Sequence, residues 1–292
     1  MRVAFVTSRD LIDLYADDRL ALPPLASLGV EVTPVEWGSE AKSLLGFDLV
    51  VIRSPWDWYE RGAEFESWLR ALAASGVKLA NRECVRFLDK SYLQRLERGG
   101  ATLVPTCFIE RGQEPKLRER MKVLGWGEAV IKPTLSANAS RTHRVSIERA
   151  NDFDAIAADV LKIGGLMLQE FAENVTEQGE WTFVFFANRF SHALRKLPKA
   201  GDFRVQTDHG GSVVFEREPP NELVAQAEKM LAATDERWLY ARVDAVVHES
   251  ELRLMELEVV EPELFLRAHP DAPTRFAEAI VSCIRPDRGA ST

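Results

Sequence analysis

Thirteen residues, 253–265 (RLMELEVVEPELF), set four carboxylates, Glu256, Glu258, Glu261 and Glu263, among leucine, methionine, valine and phenylalanine. In an extended chain side chains at i and i+2 share a face, so Glu256 and Glu258 stand side by side, and Met255, Leu257 and Val259 are expected on the opposite face. Adjacent ionised carboxylates repel, more so when partly buried, unless water screens them or a cation joins them. Upstream, YARVDAVVHES and ELRLMELEVV read as two strands able to pair as a hairpin, which would bring Asp244 to the same point as Glu256 and Glu258. Three hard oxygen donors suit Mg²⁺, which takes a few carboxylates and completes its shell with water and substrate phosphates. The plain alternative is an antiparallel strand with a wet acidic face.

Phosphates also need cations. Lys90 follows Asp89 on an expected helix, and Lys132 ends the β-rich run EAVIKP before a loop of small residues, TLSANAS. A lysine at a strand end, beside backbone N–H groups that can approach an anion, is workable phosphate machinery. Either lysine alone also reads as a solvated surface cation. Neither G-x-x-x-x-G-K-[ST] nor a strand-linked G-x-G-x-x-G occurs, so P-loop and Rossmann nucleotide sites are unsupported.

The chain that must position these groups has 292 residues, 46% hydrophobic and 28% charged, enough for an enzyme cleft between two or three subdomains. Its 37 basic against 45 acidic residues argue against a dedicated binder of nucleic acid or anionic membrane. The N-terminal apolar run spans only four residues, too short for a signal peptide, and no run approaches a membrane span. Cys84, Cys107 and Cys283 are odd in number and lack metal-ligand spacing, which with the rest points to a cytoplasmic protein.

The pattern is α/β. RVAFVTS, VEVTPVEW, DLVVIRS and VKLAN are expected strands of an N-terminal parallel-sheet domain over 1–82, with EFESWLRALAASG as a crossover helix stopped at Gly76. A second unit, 83–168, opens with one helix through CVRFLDKSYLQRLERGG. It continues with the strands TLVPTCFI and EAVIKPTL and the helix NDFDAIAADVLKIGG. The third, 169–286, follows the strand LMLQEF and turns strongly β through EWTFVFFAN, RFSHALRK and GGSVVFERE. It closes with the helix NELVAQAEKMLAAT, the acidic hairpin and a last helix, before a frayed tail, 287–292.

Taken in order, Lys90 in DKSYLQRLERGGATLVPT, Lys132 in VIKPTLSANASRTHRV, LMLQEF, Glu180 in GEWTFVFF, ALRKLPKAGDFRVQTDHGG, RVDAV and MELE resemble the ATP-grasp superfamily. The likeness spans roughly residues 82–285. It leans toward the branch containing RimK, prokaryotic glutathione synthetase and D-cycloserine synthetase. The resemblance implies a pre-ATP-grasp domain followed by two subdomains that clamp ATP. Lys90 and Lys132 would touch phosphates, Gln169, Glu170 and Phe171 would form the hinge that receives adenine, and Glu180 would hold the ribose. Arg204 would sit near the γ-phosphate and acyl phosphate, with Lys132 as a second catalytic cation, and Asp244, Glu256 and Glu258 would hold Mg²⁺. TLSANASRTHRV would be the lid.

Two departures stand out: Glu258 replaces the asparagine usual in E-x-N, and no glycine lies between Pro133 and Arg144. The segments VVIRSPWDWYE and EVVEPELFL resemble the D-cycloserine synthetase group most. They make Arg53, Trp56 and Asp57 candidates for the acceptor wall, lying past a strand end where α/β sheets hold ligands. Packing tryptophans and a turn acid are the alternative. His209, with Gly210 and Gly211, is the best placed histidine for substrate, ahead of His143 and His269.

The expected activity is an ATP- and Mg²⁺-dependent ligase that phosphorylates a small carboxylate, or a ureido or carbamoyl group, for attack by an amine. Ring closure of an O-ureido-amino acid is the narrower alternative, and a non-catalytic ATP-binding module the alternative of another class. Expected partners are the small-molecule carboxylate or ureido substrate and the amine, with a homodimer compatible with the sequence.

Overall fold

A computed structural model of the chain describes residues 1–136, 141–205 and 210–285. In the N-terminal domain β1 (Arg2–Thr7), β2 (Glu31–Glu36) and β3 (Leu49–Ser54) form a parallel sheet in the order β2-β1-β3. The two runs that are nearly continuous in apolar residues, β1 and β3, are buried on both faces, whereas β2, with Pro34, lies at the edge. The helix Gly62–Ala74 buries Phe65, Leu69 and Leu72, one stripe at i, i+4 and i+7, and Gly76 (φ 85°) turns the chain after it.

VKLAN, expected as a fourth strand, makes only a single parallel bridge, Val50 with Leu79. The chain then leaves the sheet because Asn81 adopts a left-handed conformation (φ 50°) and directs its amide to the third unit. Its Nδ2 donates to the carbonyls of Tyr240 and Val259, both at 2.8 Å, and its Oδ1 accepts from Leu239 N–H at 2.7 Å. The fully buried Arg53 makes a second clamp, bonding Asp18 and the Pro262 carbonyl, both at 2.9 Å. Tyr240 makes a third, its hydroxyl lying 2.7 Å from Ile52 O and 2.9 Å from Val260 O. These bonds join the N-terminal domain to the domain that carries the acids.

The helix expected from Cys84 to Gly100 is interrupted. A 3₁₀ segment, Arg82–Phe87, precedes the helix Tyr92–Arg98, and Lys90 lies in the break, with its N–H bonded to Thr134 O at 2.8 Å. Next comes an antiparallel sheet of β4 (Thr106–Ile109), β5 (Glu128–Pro133), β6 (His143–Ser146) and β7 (Leu166–Glu170), ordered β4-β7-β5-β6. In β5 Ala129, Ile131 and Pro133 are buried, which leaves Val130 and Lys132 on the other face. The helix Leu117–Leu124 and strand β6 were not expected from the sequence. The helix buries only Leu117 and Met121 among charged residues, and the strand is four residues long, so neither carries much periodicity.

The largest sheet is antiparallel, with β8 (Glu180–Phe186), β9 (Arg189–Leu197), β10 (Ser212–Glu216), β11 (Tyr240–His248) and β12 (Glu251–Glu258) in the order β10-β9-β8-β11-β12. One face, with Trp181, Phe183, Ala241, Val243 and Leu254, packs into the main core with the helices Tyr92–Arg98 and Asn221–Ala232. On the opposite face Val184 and Phe186 pack beneath the last helix, Ala272–Ile284. Glu180, Thr182, Arg242 and Asp244 continue that opposite face by the alternation of the strands. The whole is a mixed α/β fold: a parallel three-stranded domain followed by two antiparallel-sheet units.

Candidate active site

The acids stand on a paired hairpin. Asp244 is opposite Glu256 and Arg242 opposite Glu258, and a register shift after Asp244 sets Ala245 opposite Leu254, leaving Met255 as the extra residue of a bulge. The sequence reading put Met255 on the core face with Leu257 and Val259. The bulge instead turns it to the cleft, where it packs near Phe171 and Val205, while Leu254 and Leu257 both stay buried. Two contacts hold β12, the outer strand, at this point. The Tyr92 hydroxyl donates to Leu257 O at 2.9 Å and accepts from Leu257 N–H at 2.8 Å, and Thr102–Val104 pairs with Leu254 from the far side.

A cleft of about 390 Å³ runs along this face. It collects Lys90, Lys132, Gln169, Glu170, Phe171, Glu180, Arg204, Asp244, Glu256, Glu258 and Trp56, all expected at the site. Residues from all three units therefore line one cavity. Arg53, Asp57, Gly210 and Gly211 are not among the lining residues. Arg53 is fully buried beneath the wall in its bond with Asp18, and Asp57 accepts from Trp37 Nε1 at 2.6 Å, which is the turn-acid alternative. Gly210 and Gly211 lead into β10, and His209 lies outside the described residues, as does part of the expected lid, 137–140. His143 and His269 also stay off the cleft wall.

The three carboxylates were expected to close on one point. Among the described residues no set of three His, Cys, Asp or Glu side chains does so. Cations interleave with them instead, because carboxylates this close and this buried need positive charge between them. Asp244, 3% exposed, accepts from Thr182 Oγ1 at 2.7 Å, from Arg242 at 2.9 Å and from Lys196 Nζ at 3.1 Å. Lys196 also lies 2.5 Å from Glu180 Oε1, Arg242 also binds Glu258, and Lys90 lies 3.1 Å from Glu256.

The electrostatics follow from these partners. Burial works to raise the Asp244 carboxyl, but Arg242 and Lys196 outweigh it and hold the group ionised. Glu258 goes the other way: burial, with Glu256 and Asp244 nearby, pushes its carboxyl above the usual range despite Arg242. Burial likewise raises Glu180 against the pull of Lys196, and lowers the Lys132 ammonium against Glu256. Lys132 Nζ donates to Gln169 Oε1 at 3.1 Å, and Gln169 Nε2 to Thr106 Oγ1 at 2.9 Å, which fixes the amide's orientation. In the segment expected as the hinge, the N–H groups of Glu170 and Phe171 are taken by Pro105 O and Glu128 O, and Ala172 also lines the cleft. Arg204 is turned onto Asp202 at 2.8 Å.

Glu256 and Glu258 are hard oxygen donors on one strand face, the donor chemistry that suits Mg²⁺, and Lys90 and Arg242 now hold them. Asp244 is engaged by Thr182, Arg242 and Lys196 and joins a metal only by exchanging one of those cations.

Lys196 and Arg242 are central to the site, yet the sequence reading singled out neither. Arg242 had a local signal, since R-x-D on a strand puts both side chains on one face. Lys196 had none, because its pairing opposite Glu180 depends on the β8–β9 register. Trp58, Glu261, Glu263 and Tyr15 also line the cleft.

Residues 3–81 match the family described as the N-terminal domain of D-cycloserine synthetase DcsG. Over 284 residues the chain is 28% identical to the cycloserine biosynthesis protein DcsG of Streptomyces lavendulae, covering 91% of this chain and 94% of that one. The crystal structure of D-cycloserine synthetase DcsG superimposes with a TM-score of 0.88 at 27% identity, over 98% of this chain and 100% of that one. A RimK domain ATP-grasp protein from Sphaerobacter thermophilus gives 0.71 at 16% identity, over 96% and 99%. The ATP-grasp ligase PsnB, complexed with minimal precursor, Mg and ADP, gives 0.63 at 15% identity, over 97% of each chain. The order of motifs, the three-unit fold and these likenesses agree: the chain has the fold of the ATP-grasp ligases and is similar to DcsG over nearly its whole length.

Proposed function

We propose that the protein is an ATP-dependent ligase of the carboxylate-amine type, which phosphorylates a small carboxylate or a ureido or carbamoyl group and directs an amine onto the activated carbon. The observation that carries this reading is the single cleft in which Lys90, Lys132, Lys196, Arg204 and Arg242 face Asp244, Glu256 and Glu258. Phosphoryl transfer asks little covalent chemistry of a protein; it asks for position and charge neutralisation. Lys90 and Lys132 stand on the side of the four-stranded sheet to meet phosphate oxygens, and Gln169 to Ala172 offer a hinge for the base. Arg242 and Arg204 are the cations available to charge developing on the transferred group and the acyl oxygen. Glu256 and Glu258, with Asp244 on exchange, would hold Mg²⁺, which supplies further neutralisation of the phosphates. The walls keep water from an intermediate that would otherwise hydrolyse.

The similarity to DcsG over nearly the whole of both chains favours a second, narrower reading, in which both reacting groups belong to one O-ureido-amino acid and the product is a ring. ADP release on a panel of amino acids, dipeptides and O-ureido-serine enantiomers tests both. Turnover of O-ureido-D-serine selects ring closure, turnover only of separate acid and amine selects ligation, and ADP release at background throughout counts against catalysis.

A further inference from the structure

The cleft has a second chemical character at the end built by the N-terminal domain. There the lining groups are Tyr15, Trp56, Trp58, Glu261 and Glu263. Tyr15 and Trp56 meet edge to face with centroids 4.7 Å apart. The backbone between the two acids is pinned at three successive carbonyls: Glu261 O accepts from Trp56 Nε1 at 2.9 Å, Pro262 O from Arg53 at 2.9 Å and Glu263 O from Arg242 at 3.2 Å. Both carboxylates are thus presented from a rigid segment. Glu263 accepts from the Tyr15 hydroxyl at 3.2 Å and from Arg267 at 2.6 Å. Among the described residues Glu261 has no cationic partner; its carboxylate accepts from Trp58 Nε1 at 2.5 Å. Every other acid of the catalytic cluster has one: Lys90, Lys196 or Arg242.

We propose that Tyr15, Trp56, Glu261 and Glu263 form the subsite that receives the ammonium group of the amine substrate, with Glu261 as its principal partner. The proposal rests on the ligase reading above and adds where the amine sits. An ammonium satisfies a carboxylate by charge-assisted hydrogen bonds and gains from aromatic faces beside it. An anionic group would instead meet two carboxylates, so the chemistry of this end selects a cation.

The test is a calorimetric titration of the full chain, loaded with Mg²⁺ and an unhydrolysable ATP analogue, using serinamide and 3-hydroxypropanamide, which differ only in the ammonium group. The expected result is a preference for serinamide of roughly tenfold or more, since charge-assisted hydrogen bonds to a buried partner are the strong ones. Glu261→Gln, which keeps an acceptor for Trp58, should abolish most of that preference, and Glu263→Gln part of it. Equal affinity for the two amides, no binding of either, or a preference retained in Glu261→Gln overturns the proposal. Nucleotide titrations separate the two ideas: an ATP analogue that fails to bind the native chain removes the ligase reading as well, whereas nucleotide binding without amine preference removes the subsite alone.

Discussion

Lys196 Nζ lies 3.1 Å from Asp244 Oδ2 and, at the same time, 2.5 Å from Glu180 Oε1, so one ammonium neutralises carboxylates from two neighbouring strands. All three groups are less than a tenth exposed. Removing a partner from such a set leaves charge buried and uncompensated, which typically costs about 3–5 kcal/mol. Lys196→Ala should therefore lower the urea midpoint markedly, and Lys196→Arg much less. Equal midpoints for the alanine variant and the native chain would show that the strand acids are held by other means.

Glu256 and Glu258 are the oxygen donors proposed for magnesium. An unhydrolysable ATP analogue at about 100 times its dissociation constant should raise stability by roughly 2.7 kcal/mol. In Glu256→Gln/Glu258→Gln the shift should lose its dependence on Mg²⁺ while a magnesium-independent part remains. A thermal-shift titration with and without the ion reads this directly, and an unchanged magnesium effect in the double variant would move the metal elsewhere.

Asn81 satisfies three backbone groups of the third unit through one side chain. Asn81→Leu leaves two carbonyls and one N–H buried without that partner, each worth about 1–3 kcal/mol, and places a bulky residue at positive φ. The expected loss is about 3 kcal/mol or more in denaturant unfolding, with Asn81→Asp intermediate because it retains the acceptor for Leu239. A loss below 1 kcal/mol in the leucine variant would contradict the clamp.

His192 is buried between β9 and the segment that follows the acids, with Nε2–H donating to Leu264 O at 2.9 Å and Nδ1 facing Ser191 Oγ. Burial lowers its pKa from the ordinary 6.5 to about 4. The unfolded chain therefore binds the proton more readily. The stability this group contributes is complete above about pH 6.5 and is lost as pH falls toward 4. Between pH 7 and pH 5 the loss should be about 2 kcal/mol, and His192→Gln, which keeps a donor and an acceptor, should show a shallower slope over that window. Parallel slopes for the two proteins would mean that the imidazole takes up its proton as readily in the folded chain as in the unfolded one.

Much of the site was legible because its spacing is local. MELE on a strand puts two acids on one face, RVD puts an aspartate on the strand beside them, and VIKP ends a strand on a lysine; the cleft holds all of these. The long runs of β8, β11 and β12 were equally plain, being seven to nine residues in length and either mostly apolar or alternating. What escaped had weak or non-local signals. VKLAN carries β-rich residues, but Asn81 takes the chain away to bind the other domain. Arg53 was expected past a strand end as an acceptor-wall residue, yet it falls inside β3, where Asp18 and the Pro262 carbonyl hold it in the interior.

By itself, then, the amino-acid order determined which side chains are available, which of them share a strand face and in what succession the motifs run, because alternation along a strand is a property of neighbouring residues. The tertiary structure alone decided the Glu180–Lys196 pairing, the bulge at Met255, the burial of Arg53 and the placement of Glu261 on the cleft wall beside Trp56. Each of these is a contact between residues distant in sequence, or a register one residue out of step. Such choices are set by how whole sheets pack against one another, a quantity that no local pattern encodes.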